Sequence, residues 1–177
     1  MQLAPEPGRR IAVVGACGGI GAAVAKALVD AGCAVAAIDL PVSLERAPPP
    51  DHVSLTLPID GRDPASVAET FATLKDAWGE LDGLVIASGF AGPRQSLAET
   101  AIAAFDEVIE GNLRLTALML QAAAPMILRG HAPAAVLLSS DMAYAPQPGY
   151  TAYVAAKAGI VALGRAVARE WAPVARI

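Results

Sequence analysis

"IAVVGACGGIGAAVAKAL", residues 11–28, sets a short apolar run, a glycine turn and an alanine-rich helical pattern in immediate succession. Its glycines, Gly15, Gly19 and Gly21, follow the order G-x-x-x-G-x-G rather than G-x-G-x-x-G. A tight turn between strand and helix lets bare backbone approach a pyrophosphate, whose charge is favoured by the free N–H groups and positive end of the helix. Glycine is needed where a β-carbon would block that approach; a turn serving only the geometry of the chain is the alternative.

The pattern around this stretch repeats. Short β-branched apolar runs at 11–14, 34–38, 53–59, 84–87 and 135–138 alternate with alanine-rich helical segments. That rhythm predicts an α/β fold: a Rossmann-like, doubly wound parallel sheet in three α/β/α layers. Ile20, Val24, Leu28 and Ala31 recur at helical spacing in the first helix, and Gly32 stops it. "LPVSLERAPPPDH" after the second run reads as an extended surface connection, because Pro48, Pro49 and Pro50 cannot belong to a regular helix. Asp63 caps a helix with Pro64 at its first position and Val67, Phe71, Leu74 and Trp78 as its apolar stripe. A long helix is expected over about 101–129, with Phe105, Val108, Ile109, Leu115 and Met119 on one side, and a last one over 151–171.

Composition narrows the function classes. With 177 residues, 55% of them hydrophobic, the chain is expected to form one domain over residues 1–177. The 13 basic and 17 acidic side chains show no basic cluster, which argues against a nucleic-acid partner. Cys17 and Cys33 match no metal-ligand spacing and no disulfide framework, so free thiols in a reducing cytoplasm are the expectation, and no metal. The greasiest segment, 113–128, contains Arg114, Gln121 and Pro125, so no membrane span is expected. Arg9-Arg10 before an apolar stretch faintly resembles an export signal, but that stretch parses as strand, turn and helix.

Asp39 lies eighteen residues after Gly21 at the end of the second strand, where a carboxylate can accept hydrogen bonds from ribose hydroxyls and repel a 2′-phosphate. Neither Gly18 nor Leu40 supplies a compensating cation, so NAD is favoured over NADP. A solvated turn acid before Pro41 is the plainer alternative. "YVAAK" puts Tyr153 and Lys157 four apart on one helical face. An isolated phenol has a pKa of about 10, and a nearby cation favours its phenolate, preparing it for acid/base work. Asn112, the single asparagine in the chain, falls on the apolar stripe of the long helix. A buried amide there needs hydrogen-bond partners, as a proton-relay group or as an incidental core residue.

With the glycine order and Asp39 in place, the sequence resembles the classical short-chain dehydrogenase/reductase family over essentially its whole length. The resemblance implies a cofactor turn made of Gly15, Gly18, Gly19, Ile20 and Gly21, with Asp39 and Leu40 at the adenosine ribose. In "PIDGRD" it implies that Asp60 faces the adenine; a helix-entry acid is the alternative, a role Asp63 already fills. Ser140 precedes Tyr153 by thirteen residues, the family's spacing between catalytic serine and tyrosine, which selects it over Ser139. The family's Asn-Ser-Tyr-Lys tetrad then maps onto Asn112, Ser140, Tyr153 and Lys157, with Asn112 supporting a water that relays protons to the lysine. The implied reaction is hydride transfer between nicotinamide and a small secondary alcohol or ketone. A non-catalytic NAD-binding sensor is the alternative, and epimerisation or dehydration on the same fold a third.

Two departures stand out. Where the family has N-N-A-G, this chain has "IASG": Gly89 matches, while Ile86 and Ala87 replace the asparagines, so their hydrogen bonds must come from backbone or water. "WAPVARI" ends where the family's sixth strand begins, and the expectation is a truncated member lacking the last strands and the substrate-covering segment. Arg94 and "DMAYAPQPGYT" are expected to border the substrate. In the family the two long helices pack against a second subunit, implying a homodimer or homotetramer.

Overall fold

The computed structural model describes residues 5–177, leaving the first four residues of the expected domain outside the described part. Five strands form one parallel sheet: β1 (Arg10–Val14), β2 (Ala34–Asp39), β3 (Leu55–Pro58), β4 (Gly83–Ile86) and β5 (Ala134–Leu137), in the order β3-β2-β1-β4-β5. The order reverses at β1, and at such a switch point of an open parallel sheet a crevice opens beyond the carboxyl ends of the strands. β1 pairs with both β2 and β4 from Ile11 onward, so the glycine turn that follows it lies at that reversal.

The side-chain alternation of a strand sorts the core into two layers. Ala12, Val14, Ala36, Ile38, Leu84 and Ile86 point to one face, covered by α3 (Pro64–Trp78), α5 (Leu115–Ile127) and α6 (Thr151–Trp171). Ile11, Val13, Val35 and Ala37 point to the other and pack against α1 (Gly19–Asp30). On that second face Val136 of β5 is 53% exposed. Residues 175–177 run beside β5, where Ala134 and Arg176 form one parallel bridge. The Ala135 N–H donates to the Arg176 carbonyl at 2.8 Å.

Several local expectations change. The connection after β2 is not extended throughout: Pro41–Arg46 form a short helix, α2, with Pro41 at its first turn, where a missing N–H costs nothing. The run of prolines at 48–50 follows it. Strand β3 is shorter than read, an edge strand with Pro58 as its last residue. The long helix is two helices, α4 (Ile102–Ile109) and α5, joined by a π-helical turn at Glu110–Arg114, an insertion that hydrophobic spacing does not register. Ile20, read as part of the buried stripe of α1, is 62% exposed, while Gly21 and Ala25 are buried. Helix α6 is long and apolar enough to match a membrane span by length and composition, a property the reading of 113–128 missed. Its buried side, with Ala156, Lys157 and Ile160, belongs to a helix packed on α4 and β5. The capping of α3 is as expected, with Asp63 Oδ1 accepting from the Ala65 N–H at 2.9 Å.

Candidate active site

At the carboxyl end of β1 the chain turns through Gly15, whose φ of +86° belongs to the left-handed region that side chains disfavour. A β-carbon on Gly21 would collide with the Gly15 carbonyl, so the first turn of α1 closes directly onto the turn backbone. Gly18 is the N-cap of α1, without a side-chain cap, and a β-carbon on Gly19 would meet nothing within 4 Å. The N–H groups of this first turn therefore face open space, an arrangement suited to an anion.

That space is part of a cleft of about 700 Å³ lined, among the expected contacts, by Gly15, Gly18, Asp39, Leu40, Asp60, Ala87 and Gly89, whereas Gly19, Ile20, Gly21, Tyr153 and Lys157 do not line it. Asp39 at the end of β2 reaches across: its Oδ2 accepts from the Cys17 N–H at 2.8 Å and its Oδ1 from the Leu40 N–H at 2.8 Å. The carboxylate thus ties the glycine turn to β2 while lining the cleft. Burial pushes the Cys17 thiol up from its usual value, and the adjacent Asp39 charge and hydrogen bond act in the same direction. Asp60 holds the loop after β3, accepting from the Arg62 N–H at 3.0 Å. Arg62 lies 3.6 Å from both Asp60 Oδ1 and Glu107 Oε1, closing one side of the cleft. Cys17, Ser43, Arg46, Phe90 and Glu107 also line it and were missed from sequence. Pro41 as a helix-start signal could have revealed α2, and with it Ser43 and Arg46.

At Gly89 the cleft comes up against Asn112 and Lys157, while none of the four tetrad positions is among the residues that line it. Gly89 has φ +148°, and a β-carbon there would collide with Asn112 Oδ1 and stand 3.3 Å from Lys157 Nζ. Asn112 is fully buried in the π-helical turn, its Nδ2 donating to the Phe90 and Val108 carbonyls at 2.8 and 2.9 Å. Its Oδ1 has no partner, although it is buried. Tyr153 and Lys157 stand four positions apart in the first turns of α6, and Nζ lies 5.5 Å from the centroid of the phenol ring. Lys157 is 4% exposed and donates to the Leu138 carbonyl at 2.9 Å. Burial lowers its pKa from the usual lysine value.

The two serines after β5 separate by role. Ser139 Oγ donates to the Lys157 carbonyl at 2.8 Å and so anchors α6. Ser140 caps the 3₁₀ turn Asp141–Ala143, accepting from the Met142 N–H at 3.2 Å and donating to Asp141 Oδ1 at 3.0 Å. Arg94 is not free to meet a ligand with its Nε, which donates to the Pro148 carbonyl at 3.2 Å. Together with the Gln95 N–H on the Gly149 carbonyl at 2.9 Å, it pins the loop after β4 to the residues preceding α6.

A dinucleotide fits what is present. The open glycine turn offers unpaired N–H groups to phosphate, Asp39 and Asp60 stand along one wall, and an unpartnered amide oxygen beside Lys157 calls for a hydrogen-bond donor. Among the described residues no group of His, Cys, Asp and Glu is gathered to hold a metal ion.

Comparison with known proteins gives a consistent picture. A family model described as enoyl-(acyl carrier protein) reductase matches residues 15–177. A short chain dehydrogenase of Monascus purpureus is 34% identical, over 94% of this chain and 61% of its own length. A cis-4-hydroxycyclohexanecarboxylate dehydrogenase of Sinomonas cyclohexanicum is 36% identical, over 92% of this chain and 68% of its own. The chain thus spans about three fifths of the first of these relatives. Among solved structures, NAD⁺-bound xylitol dehydrogenase superposes with a TM-score of 0.89 at 25% identity, covering 97% of this chain and 68% of that one. The ligand-free aldohexose dehydrogenase of Thermoplasma acidophilum gives 0.87 at 25% identity, covering 96% and 64%.

Proposed function

The chain belongs to the classical short-chain dehydrogenase/reductase family, and from that premise we propose that it is an NAD-dependent oxidoreductase acting on a small secondary alcohol or ketone. The observation that carries this reading is the stacking of Lys157 Nζ on the Tyr153 ring beside the orphaned Asn112 Oδ1, where the glycine-turn cleft ends at Gly89. Gly15, Gly18, Gly19, Ile20 and Gly21 hold the diphosphate, Asp39 and Leu40 the adenosine ribose, Asp60 the adenine, and Ala87 and Gly89 the adjoining wall. Asp39 favours the unphosphorylated ribose, because a carboxylate repels a 2′-phosphate.

When bound, the nicotinamide exchanges a hydride with the substrate carbon. Tyr153 moves the proton at the substrate oxygen, and the Ser140 hydroxyl turns from Asp141 Oδ1 to donate to that same oxygen, stabilising the charge that develops there. Lys157 favours the phenolate form electrostatically and binds the nicotinamide ribose. Asn112 Oδ1 accepts from a water that carries protons away from Lys157. The residues act as one domain, paired into a homodimer or homotetramer through α4, α5 and α6, in the cytoplasm.

The test is spectroscopic. The protein is titrated with NADH and NADPH, and NADH formation from NAD⁺ is followed over a panel of cyclic and acyclic secondary alcohols and polyols. Tyr153→Phe is expected to lower turnover at least 100-fold, within the range of general acid/base catalysis, while leaving NADH affinity within about threefold. Wild-type turnover unaffected by that change refutes the role of Tyr153, and tighter NADPH than NADH binding refutes that of Asp39.

A further inference from the structure

Arg114, the charge that interrupts the apolar run 113–128, has no part in the proposed reaction and does not line the cleft. It stands in the π-helical turn Glu110–Arg114, exposed on the outside of the same turn that buries Asn112. Its Nη1 donates to the Arg62 carbonyl at 3.1 Å. That bond ties the π-helical turn to the loop after β3, whose residues Asp60, Gly61 and Arg62 form one wall of the cleft. Among the described residues it is the one hydrogen bond between the π-helical turn and this loop.

Two further contacts join the same pieces. Gly61 packs so closely on Leu115, the first residue of α5, that a β-carbon there would lie 2.6 Å from Leu115 Cδ1. Arg62 reaches back to Glu107 near the end of α4, with 3.6 Å between Nη1 and Oε1. The ion pair joins two exposed side chains and holds weakly, and the packing of Gly61 limits how near the loop comes without directing it. The Arg114 bond is directional and grips main chain, so it sets where the wall stands. A wall held in place before a ligand arrives spares the ligand the cost of ordering it. Resting on the dinucleotide reading, in which Asp60 faces the adenine, we infer that Arg114 is a positioning residue. By holding the Arg62 carbonyl it fixes the adenine wall of the cleft against the π-helical turn that carries Asn112.

Adenosine, ADP and NADH share the adenine and differ in charge, which separates a positioned wall from a lost cation. Each is titrated into wild type, Arg114→Met and Arg114→Lys, NADH by fluorescence and the other two by displacement of NADH, with thermal midpoints recorded. Methionine removes the donors, whereas lysine keeps a donor and the charge. Affinity of Arg114→Met for all three ligands is expected to fall about fivefold, the net worth of one ordinary hydrogen bond, while Arg114→Lys stays within about twofold of wild type. The midpoints change by less than about 2 °C, because the side chain is exposed. Unchanged affinity in Arg114→Met overturns the inference, and so does a loss for ADP and NADH that adenosine does not share, which reports only the missing charge. A loss that Arg114→Lys shares in full reports a packing role and overturns it as well. Wild-type protein that binds neither NADH nor ADP overturns the dinucleotide reading and this inference with it.

Discussion

Gly19 and Gly21, two residues apart in one turn, respond in opposite ways to the same added methyl group. At Gly21 the new β-carbon collides with the Gly15 carbonyl oxygen and stands 2.7 Å from its carbon, so main chain meets main chain. No rotamer relieves that overlap, and the loss lies at the upper end of the range for overpacking, about 3 kcal/mol. Alanine recovers about 1 kcal/mol through its better helix propensity. The net loss is about 2 kcal/mol, or a melting temperature lowered by about 4–8 °C for a chain of this size. At Gly19 nothing lies within 4 Å, and the backbone is ordinary for an L-residue. Gly19→Ala is therefore neutral or stabilising by up to about 1 kcal/mol. Its methyl group enters the space offered to the phosphate, so NADH affinity falls at least tenfold, while Gly21→Ala loses both stability and affinity. Calorimetric melting and NADH fluorescence titration on the three proteins separate the cases. A Gly21→Ala protein as stable as wild type refutes the closure of α1 on Gly15, and a Gly19→Ala protein with undiminished NADH binding refutes the use of that space by ligand.

Two further outcomes follow from other parts of the fold. Burial depresses the Lys157 pKa below its usual 10.5, so through that window the unfolded chain holds the proton that the folded one has released, and stability rises with pH. The stability of wild type relative to Lys157→Met, from urea unfolding at pH 7 and pH 10, is expected to grow with pH. The raised Cys17 and Cys33 thiols act in the opposite sense but are common to both proteins, and a pH-independent difference contradicts the argument. At the far edge of the sheet, the nearly buried Asp82 carboxylate accepts from the Arg10 N–H at 2.9 Å and the His131 N–H at 2.7 Å. Asp82→Asn turns an amide N–H₂ toward one of these donors, and a loss of about 3 kcal/mol is expected by urea unfolding without effect on NADH affinity.

Much of this molecule is determined one stretch at a time. The strand positions, the Asp63-Pro64 helix start and the glycine turn depend on residues close together in the chain, where periodicity, caps and turn chemistry act. The same holds for Tyr153 above Lys157, since residues four apart on a helix share a face. Other features depend on what packs against them. Ile20 has the spacing of a core residue, yet Gly21 takes the buried position because α1 sits too close to Gly15 for a side chain. Asn112 could be read as relay or core amide; the π-helical turn decides that its Nδ2 is satisfied and its Oδ1 is left over beside Lys157. Arg94 could be read as bordering the substrate, yet its Nε is taken up by the Pro148 carbonyl once the 145–150 loop folds back.

By itself, the sequence determined the class of fold and the chemical types gathered at one sheet edge, because strand alternation, helix period and glycine placement are local properties that add along the chain. Only the tertiary structure decided which donors and acceptors are used up within the protein and which are left facing the cleft. Hydrogen-bond satisfaction is a property of partners brought together from distant segments, and no spacing within one segment reports it.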